Sequence, residues 1–480
     1  MGSGLVVLHI DGLGTDSLEE ALREGMMPFT QHLIDREGYE IHRYRSGIPS
    51  TTPFAQAGIL YGDNSEIPSF RWWDRDRQVV VQFGTASTFK KVADKYFAVC
   101  KPLTQDGACI AACYPAGAAE DFGIAYRERT YAGVERSRSA WRVLLPYMAN
   151  PLHLVDWLGH TVVSIWRMAV EYSSARARGG RPARAYVLTD AANEIFVHHL
   201  TLYAVEKAMH KGFSPIYAGF YAFDETGHAF GPDHGQSLRV LRQVDHTIKK
   251  VAEARRGRYE LVVLSDHGQI ETEPFYLVDG VHLGKLVAGW MPGCHVREMK
   301  GKAFGAELDH AEGVVYITYS GGLGHLYLAE HRRRVSFEEL EKRHPELVRE
   351  LGSNDRIALV MGRERGDHVF ISGGVVYRNE AVKEVLARYD DADILYQQLS
   401  RLNSFEHSGD LVFFGAFRED RQVNFENQAG GHGAFGGEQA HPFLLTKHEW
   451  AIDTSGVRGA HELHPILCDL RDRLKGGPAA

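Results

Sequence analysis

Apolar runs and amphipathic stretches alternate along this chain. Leu5 to Ile10 is almost wholly apolar and reads as a strand buried on both faces, ending at Asp11-Gly12. A helix is predicted from Asp16 to about Glu37, and a second over 53–61. Asp190 to about His210 reads as a long amphipathic helix, and Pro215–Phe223 as a strand leading into Asp224. From Ser237 to Arg255, Leu238, Leu241, Val244, Ile248 and Val251 fall on one helical stripe. Residues 260–265 then form a strand that runs into Asp266-His267. This strand–helix–strand alternation predicts an α/β core, a mostly parallel central sheet flanked by helices.

Two stretches break the rhythm. Between 65 and 185, Trp72-Trp73 is followed by scattered charge and helical segments, with an exposed loop predicted over Ser173–Arg184. Between 276 and 407, Val314–Ile317, Leu326–Leu328, Ile357–Val360 and Val369–Ser372 read as strands, and Ser336–Leu351 as a Ser-capped helix. The expected organisation is a catalytic core of residues 1–64, 186–275 and 408–480, a mainly helical cap insertion over 65–185, and an α+β insertion over 276–407. The core resumes with a strand over Asp410–Phe417 and a Gly-rich loop, Ala429–Gly437.

At 480 residues the chain is too long for one simple core. Its net charge of −8 argues against a nucleic-acid polymer as partner but leaves room for a local pocket that takes a small anion. Cys100, Cys109, Cys113, Cys294 and Cys468 are few and irregularly spaced. They read as reduced thiols of a cytoplasmic protein, with Cys109 and Cys113 as buried filler. The first residues carry no signal-peptide pattern. The apolar stretch Asn150–Tyr172 is interrupted by His153, Asp156, His160 and Arg167, and reads as amphipathic helix rather than a transmembrane segment. Oligomeric state is not legible.

Candidate chemistry gathers at the predicted strand exits. Asp11, Asp224 (with His228 four residues on) and Asp266-His267 each follow an apolar run, and His432 sits in Gly430-Gly431-His432-Gly433. At the carboxyl ends of parallel strands such residues converge in the crevice where open α/β sheets bind ligands, and Asp with His is a metal-binding chemistry. Thr52 fits the N-cap and Pro53 the first position of the helix over 53–61, which sets a hydroxyl beside backbone N–H groups that favour a phosphate. Other polar residues read as structural: His9 as a hydrogen-bonded core histidine, His234 in a surface loop, Asp245-His246 on a solvated or bridging helix face, His441 as packing. Arg71-Trp72-Trp73 is open between holding a phosphate and ring, and plain packing between cap and core.

Together these stretches resemble the alkaline phosphatase superfamily, within it the type I phosphodiesterase/nucleotide pyrophosphatase branch. The likeness rests on the opening Asp11-Gly12 strand, Pro49-Ser50-Thr51-Thr52 with Leu60 and Gly62, Asp224-x-x-x-His228-x-x-Gly231-Pro232, Ser265-Asp266-His267-Gly268, and Gly430-x-His432-Gly433. The resemblance implies a small phosphoester substrate and a transiently phosphorylated nucleophile at Thr52. It implies one metal ion held by Asp11, Asp266, His267 and Thr52, and a second held by Asp224, His228 and His432, usually zinc, with manganese the alternative. Such chemistry is physically coherent: metal coordination activates a poor hydroxyl nucleophile, and two ions about 3.5–4 Å apart stabilise attacking and leaving oxygens together. An ion of this kind also brings the pKa of a water to about 7, which suits hydrolysis of a phosphothreonine. An Asp/His mixture suits zinc better than magnesium. One departure is that nucleotide pyrophosphatases of this superfamily carry an Asn shortly after the nucleophile, whereas Pro53-Phe54-Ala55-Gln56 offers only the Gln56 amide. The alternatives are a phosphomonoesterase or phosphonate-ester hydrolase with the same site, and a non-enzymatic protein that binds a phosphorylated ligand. A sulfatase is disfavoured, because no Cys/Ser-x-Pro-x-Arg motif stands at Thr52.

Overall fold

In the computed structural model, which describes residues 3–82, 92, 94–122, 138–177, 186–255, 257–299 and 312–476, the strand Gly4–Ile10 lies in the middle of a seven-stranded sheet. From one edge the strands are Tyr39–Arg43, Phe443–Lys447, Tyr259–Leu264, Gly4–Ile10, Ile216–Phe220, Ala108–Ile110 and Glu120–Phe122. The last five run parallel. Phe443–Lys447 is antiparallel to both its neighbours. Alternate residues of the central strand feed two cores. Leu5 and Val7 join one, with the helices Thr52–Tyr61 and Ala460–Gly476. Val6, Leu8 and Ile10 join the other, with Thr15–Arg23 and Gly235–Ala254. Burial on both faces is why the parallel strands read as continuous apolar runs.

The register fixes where these strands stop. His9 stands opposite Gly219 on one side and Leu264 on the other, so three adjacent parallel strands end level. Their exits carry Asp11, the segment leading to Asp224, and Ser265-Asp266-His267.

The helix Thr52–Tyr61 is buried at every one of its ten residues. A helix apolar on all sides needs partners on all sides. Ala460–Gly476 supplies one of them at Gly58, where a Cβ would lie 2.6 Å from the His461 backbone nitrogen. Only glycine permits that approach.

Several predicted boundaries move. The helix expected from Asp16 to Glu37 is two, Thr15–Arg23 and Pro28–Glu37, because Gly25 takes φ +67° and Pro28 begins the second with no N–H to bond backwards. The helix expected over Ser336–Leu351 splits at Pro345 into Phe337–Arg343 and Pro345–Ser353, with Ser336 accepting from the Glu339 N–H as its cap. The strand expected over Pro215–Phe223 is Ile216–Phe220, and Ala222–Phe230 is helical. The loop expected over Ser173–Arg184 is helix to Ala177, within Pro151–Ala177, and its remainder lies outside the described residues.

The division into core and insertions is also redrawn. Ala108–Ile110 and Glu120–Phe122 fall inside the stretch 65–185 that was expected to be a cap, yet they extend the central sheet. Strands of three residues are too short to show a period. Leu411–Gly415, expected to resume the core, instead lies in a second seven-stranded sheet, between Leu323–Leu328 and Ile357–Glu364. A doubly buried apolar run does not specify which sheet it enters. The helix Pro151–Ala177 presents Leu152, Val155, Leu158, Val162, Trp166 and Val170 to solvent, and no described helix is long and apolar enough to cross a membrane.

Arg71-Trp72-Trp73 resolves as packing. Both tryptophans are buried, Trp73 stacks on Tyr316 at 4.9 Å, and the Arg71 guanidinium donates to Glu426 Oε1 at 2.7 Å. Close by, Arg75 ties its hairpin (Arg71–Asp74 with Val79–Gln82) to the second sheet through a fully buried pair with Asp410 at 2.8 Å. The same carboxylate accepts the N–H groups of Leu328 and Val335. Removing one partner leaves an uncompensated buried charge, so Asp410→Ala is expected to lower the unfolding free energy by about 3–5 kcal/mol in urea denaturation. A loss below about 1 kcal/mol, the level of a surface pair, would contradict that role.

Candidate metal centre

The three strand exits, the start of the helix Thr52–Tyr61 and the Gly-rich loop bring every sequence-predicted site residue to one place. Asp11 follows the central strand directly, its N–H bonded to the Phe220 carbonyl at 3.0 Å. Gly12 turns the chain with φ +73°, and a Cβ there would meet Asp224 Oδ1 at 2.6 Å. Asp224 and His228 stand four residues apart in the helix Ala222–Phe230 and so share a face. Asp224 thus enters from a helical first turn rather than from the strand end itself. Asp266 and His267 follow Tyr259–Leu264, and His432 arrives from the Gly-rich loop.

Two donor sets result. In one, His228 Nε2 lies 3.2 Å from Asp224 Oδ2, His432 Nε2 3.5 Å from Asp224 Oδ1, and the two ring nitrogens 3.2 Å from each other. In the other, His267 Nε2 lies 3.4 Å from Asp11 Oδ1 and 3.4 Å from Asp266 Oδ2. Thr52 Oγ1 sits 3.2 Å from His267 Nε2 and 3.4 Å from Asp11 Oδ1. The sets adjoin, since Asp11, Asp224 and His267 also offer atoms within 4.8 Å of one another.

The surrounding backbone sets the histidine tautomers. His228 Nδ1 faces the Gly430 carbonyl at 3.0 Å, His267 Nδ1 the Gly268 carbonyl at 3.0 Å, and His432 Nδ1 the Ser50 carbonyl at 2.7 Å. A carbonyl only accepts, so each Nδ1 carries a proton and each ring turns Nε2, the nitrogen that ligates when unprotonated, into the site. With neutral rings, lone pairs would face lone pairs and carboxylates. Asp266 Oδ2, fully buried, has no hydrogen-bond partner. A buried acceptor without a donor is costly, and a cation between such acceptors removes the cost. The donor chemistry fits two divalent ions.

Electrostatics point the same way. Burial pushes the Asp11 carboxyl well above its ordinary pKa, and the neighbouring Asp266 and Asp224 charges add to this. Burial also opposes ionisation of Asp224, yet the facing His228 and His432 carry its pKa well below the usual range. Asp266 is held low against its burial by His267 and His9. Burial works against charge on His228, but Asp224 raises it to about 10, while burial and His267 press His432 down to about 3. A cation among these groups relieves the repulsion that a proton on His228 otherwise takes up.

Thr52 is the first residue of its helix, one position further in than the N-cap expected for it. Thr51 takes the extended cap conformation, and Pro53 is second. The Thr52 hydroxyl still stands at the positive end of a wholly buried helix.

Two supporting residues escaped the sequence reading. Gln269, two positions past His267, donates from Nε2 to the Asp224 carbonyl at 2.8 Å and to its carboxylate. His9 was expected only as a hydrogen-bonded core histidine, but its Nε2 lies 3.0 Å from Asp266 Oδ1. Its Nδ1 accepts from Gln56 Nε2 at 3.1 Å. The available signal was a polar residue inside an apolar strand two positions before Asp11. Gln56 is fully committed: it also donates to the Tyr221 hydroxyl at 3.0 Å and accepts the Cys113 N–H at 2.8 Å.

The polar residues set aside have structural partners. His234 caps Gly235–Ala254 by accepting from the Gln236 N–H, and His441 lies 3.3 Å from Asp390. Asp245 accepts the N–H groups of Phe29 and Thr30, bridging Gly235–Ala254 to the start of Pro28–Glu37.

Comparison with known proteins identifies the family and the fold. The sequence pattern of the type I phosphodiesterase/nucleotide pyrophosphatase family matches residues 5–363. A search of curated proteins gives no match. Phosphonoacetate hydrolase from Sinorhizobium meliloti 1021, solved with phosphonoformate, superposes with a TM-score of 0.52 at 14% identity, covering 98% of this chain and 96% of that one. Murine ectonucleotide pyrophosphatase/phosphodiesterase 5, an inactive form in complex with AMP, aligns with a TM-score of 0.49 at 12% identity, covering 98% and 95%. With the family pattern spanning most of its length over an alkaline-phosphatase-like fold, this chain belongs to the type I phosphodiesterase/nucleotide pyrophosphatase family and is a hydrolase of phosphoester bonds.

Proposed function

We propose that this hydrolase is a two-metal phosphodiesterase of nucleotide-pyrophosphatase type, acting on a small phosphoester through a phosphothreonine intermediate at Thr52. The observation that carries the reading is the position of Thr52 Oγ1, 3.2 Å from His267 Nε2 and 3.4 Å from Asp11 Oδ1, where a hydroxyl joins a carboxylate–imidazole donor set. Asp11, Asp266 and His267, with Thr52, would hold one ion, and Asp224, His228 and His432 the other. Bound zinc, or manganese in its place, would supply Lewis acidity to the Thr52 hydroxyl, to the phosphoryl oxygens and to a hydrolytic water.

The chain's own groups do the rest. The Thr52 hydroxyl loses its proton as its oxygen attacks phosphorus, the P–O bond to the leaving group breaks, and the leaving oxygen takes up a proton to depart as the alcohol. Water then attacks the same phosphorus, the P–O bond to Thr52 breaks, and a proton from that water restores the Thr52 hydroxyl as the phosphate product leaves. The N-terminal end of Thr52–Tyr61 favours the phosphoryl charge throughout. His9 and Gln269 act as positioning residues, holding the Asp266 and Asp224 carboxylates in place.

A second reading, a phosphomonoesterase or phosphonate-ester hydrolase with the same site, is favoured by Gln56. Its amide is bound to His9, Tyr221 and Cys113 and is not free to hold a phosphate oxygen. A cytoplasmic location is supported by the five cysteines, all of them free thiols.

Thr52→Ala is expected to lower turnover of a chromogenic phosphodiester by about a thousandfold or more while leaving bound metal largely unchanged. Near-normal turnover in that variant would remove Thr52 as nucleophile. Because the donor sets belong to different ions, His228→Ala should retain roughly half of the metal measured by elemental analysis and still lose activity. Complete loss of metal, or none, would contradict two separate sites. Rates on matched mono- and diester nitrophenyl substrates decide between the two readings, and the leading one requires the diester to run faster.

A further inference from the structure

The helices Pro151–Ala177 and Tyr186–His210 carry a second set of metal-binding side chains, which shares no residue with the sets at the strand exits. Asp156 and His160 stand four residues apart on the first helix, so they share a face. His199 meets them from the second. His160 Nδ1 lies 3.0 Å from His199 Nε2 and 3.9 Å from Asp156 Oδ1, and His199 Nδ1 lies 3.6 Å from Asp156 Oδ2. One ligand atom from each residue falls within 4.8 Å of the other two.

The His160 Nδ1–His199 Nε2 spacing matches a small transition-metal ion, with His199 Nδ1, which faces Asp156, outside that coordination. Two nitrogens bound tetrahedrally to zinc at 2.0–2.1 Å lie about 3.3 Å apart, close to the separation of the two imidazoles. Asp156 and His160 are 49% and 58% exposed, so an ion reaches them without opening the fold, and water can complete the coordination. Burial holds His199 below its ordinary pKa; the Asp156 carboxylate opposes this, and His160 and Lys250 add to it. Two imidazoles and one carboxylate form a set that selects zinc-like ions over magnesium or calcium, which prefer all-oxygen ligands.

We propose that Asp156, His160 and His199 bind a third transition-metal ion that fastens the helix Pro151–Ala177 to Tyr186–His210. The fastening has a physical reason. Leu152, Val155, Leu158, Val162, Trp166 and Val170 of that helix face solvent, so apolar burial contributes less to its docking than it does for the core helices. None of its three residues belongs to either donor set beside Thr52.

The test uses the full chain, stripped of metal and dialysed against micromolar zinc, with bound ions counted by elemental analysis. Wild type is expected to hold about one ion per chain more than His160→Ala, and zinc to raise its melting temperature more than it raises that of the variant. Turnover of the variant should match wild type. Asp156→Asn, a conservative change at an exposed position, should show the same deficit and guards against a folding defect in the first variant. Equal ion counts in wild type and both variants would overturn the proposal and leave the histidines as a hydrogen-bonded pair.

Discussion

The site depends on three hydrogen bonds that do not touch the reacting atoms. Carbonyls of Ser50, Gly268 and Gly430 take the Nδ1 protons of His432, His267 and His228. That leaves three Nε2 atoms converging on the buried carboxylates of Asp11, Asp224 and Asp266. Acceptors without donors are stable together only around positive charge. The demand for cations is therefore written into backbone geometry, and the carboxylates add to it.

Rigidity comes from how the sheet and its two cores frame that pocket. Level strand ends bring Asp11 and Asp266 side by side, and Gly12 gives Asp224 room to approach. Ser50 couples the remaining parts. Its carbonyl holds His432, and its hydroxyl accepts the Gly433 N–H at 2.9 Å while donating to the Ala434 carbonyl. Two residues on, Thr52 opens a helix with no exposed residue. Thr52 and the second donor set are thus registered through one junction between segments 382 positions apart. A helix buried on every side has little freedom to drift, so Thr52 is held where the ring of His267 lies.

Much of this was legible before any coordinates. Apolar runs ending in Asp11, Asp224 and Asp266-His267 announced strand exits, and a parallel sheet gathers such exits at one edge. Less legible was what continues past each exit. Asp224 enters on a helix, because the residues after Phe220 could extend a strand or start a turn equally well. The short strands Ala108–Ile110 and Glu120–Phe122 carry no period, and Leu411–Gly415 would suit either sheet. Gln269 and His9 support the site through contacts that local pattern does not encode, and Arg71 spends its charge on Glu426.

By itself the sequence determined the fold class, the family and the seven residues around the pocket, because strand burial, helix capping and motif spacing are local properties. Only the tertiary structure decided which acceptors face each other, which tautomers they adopt, and that the Gln56 amide is bound within the protein. It also decided that Asp156, His160 and His199 meet. Those outcomes turn on distances between residues far apart in the chain. Such distances are set by how helices and sheets pack, which no single segment specifies.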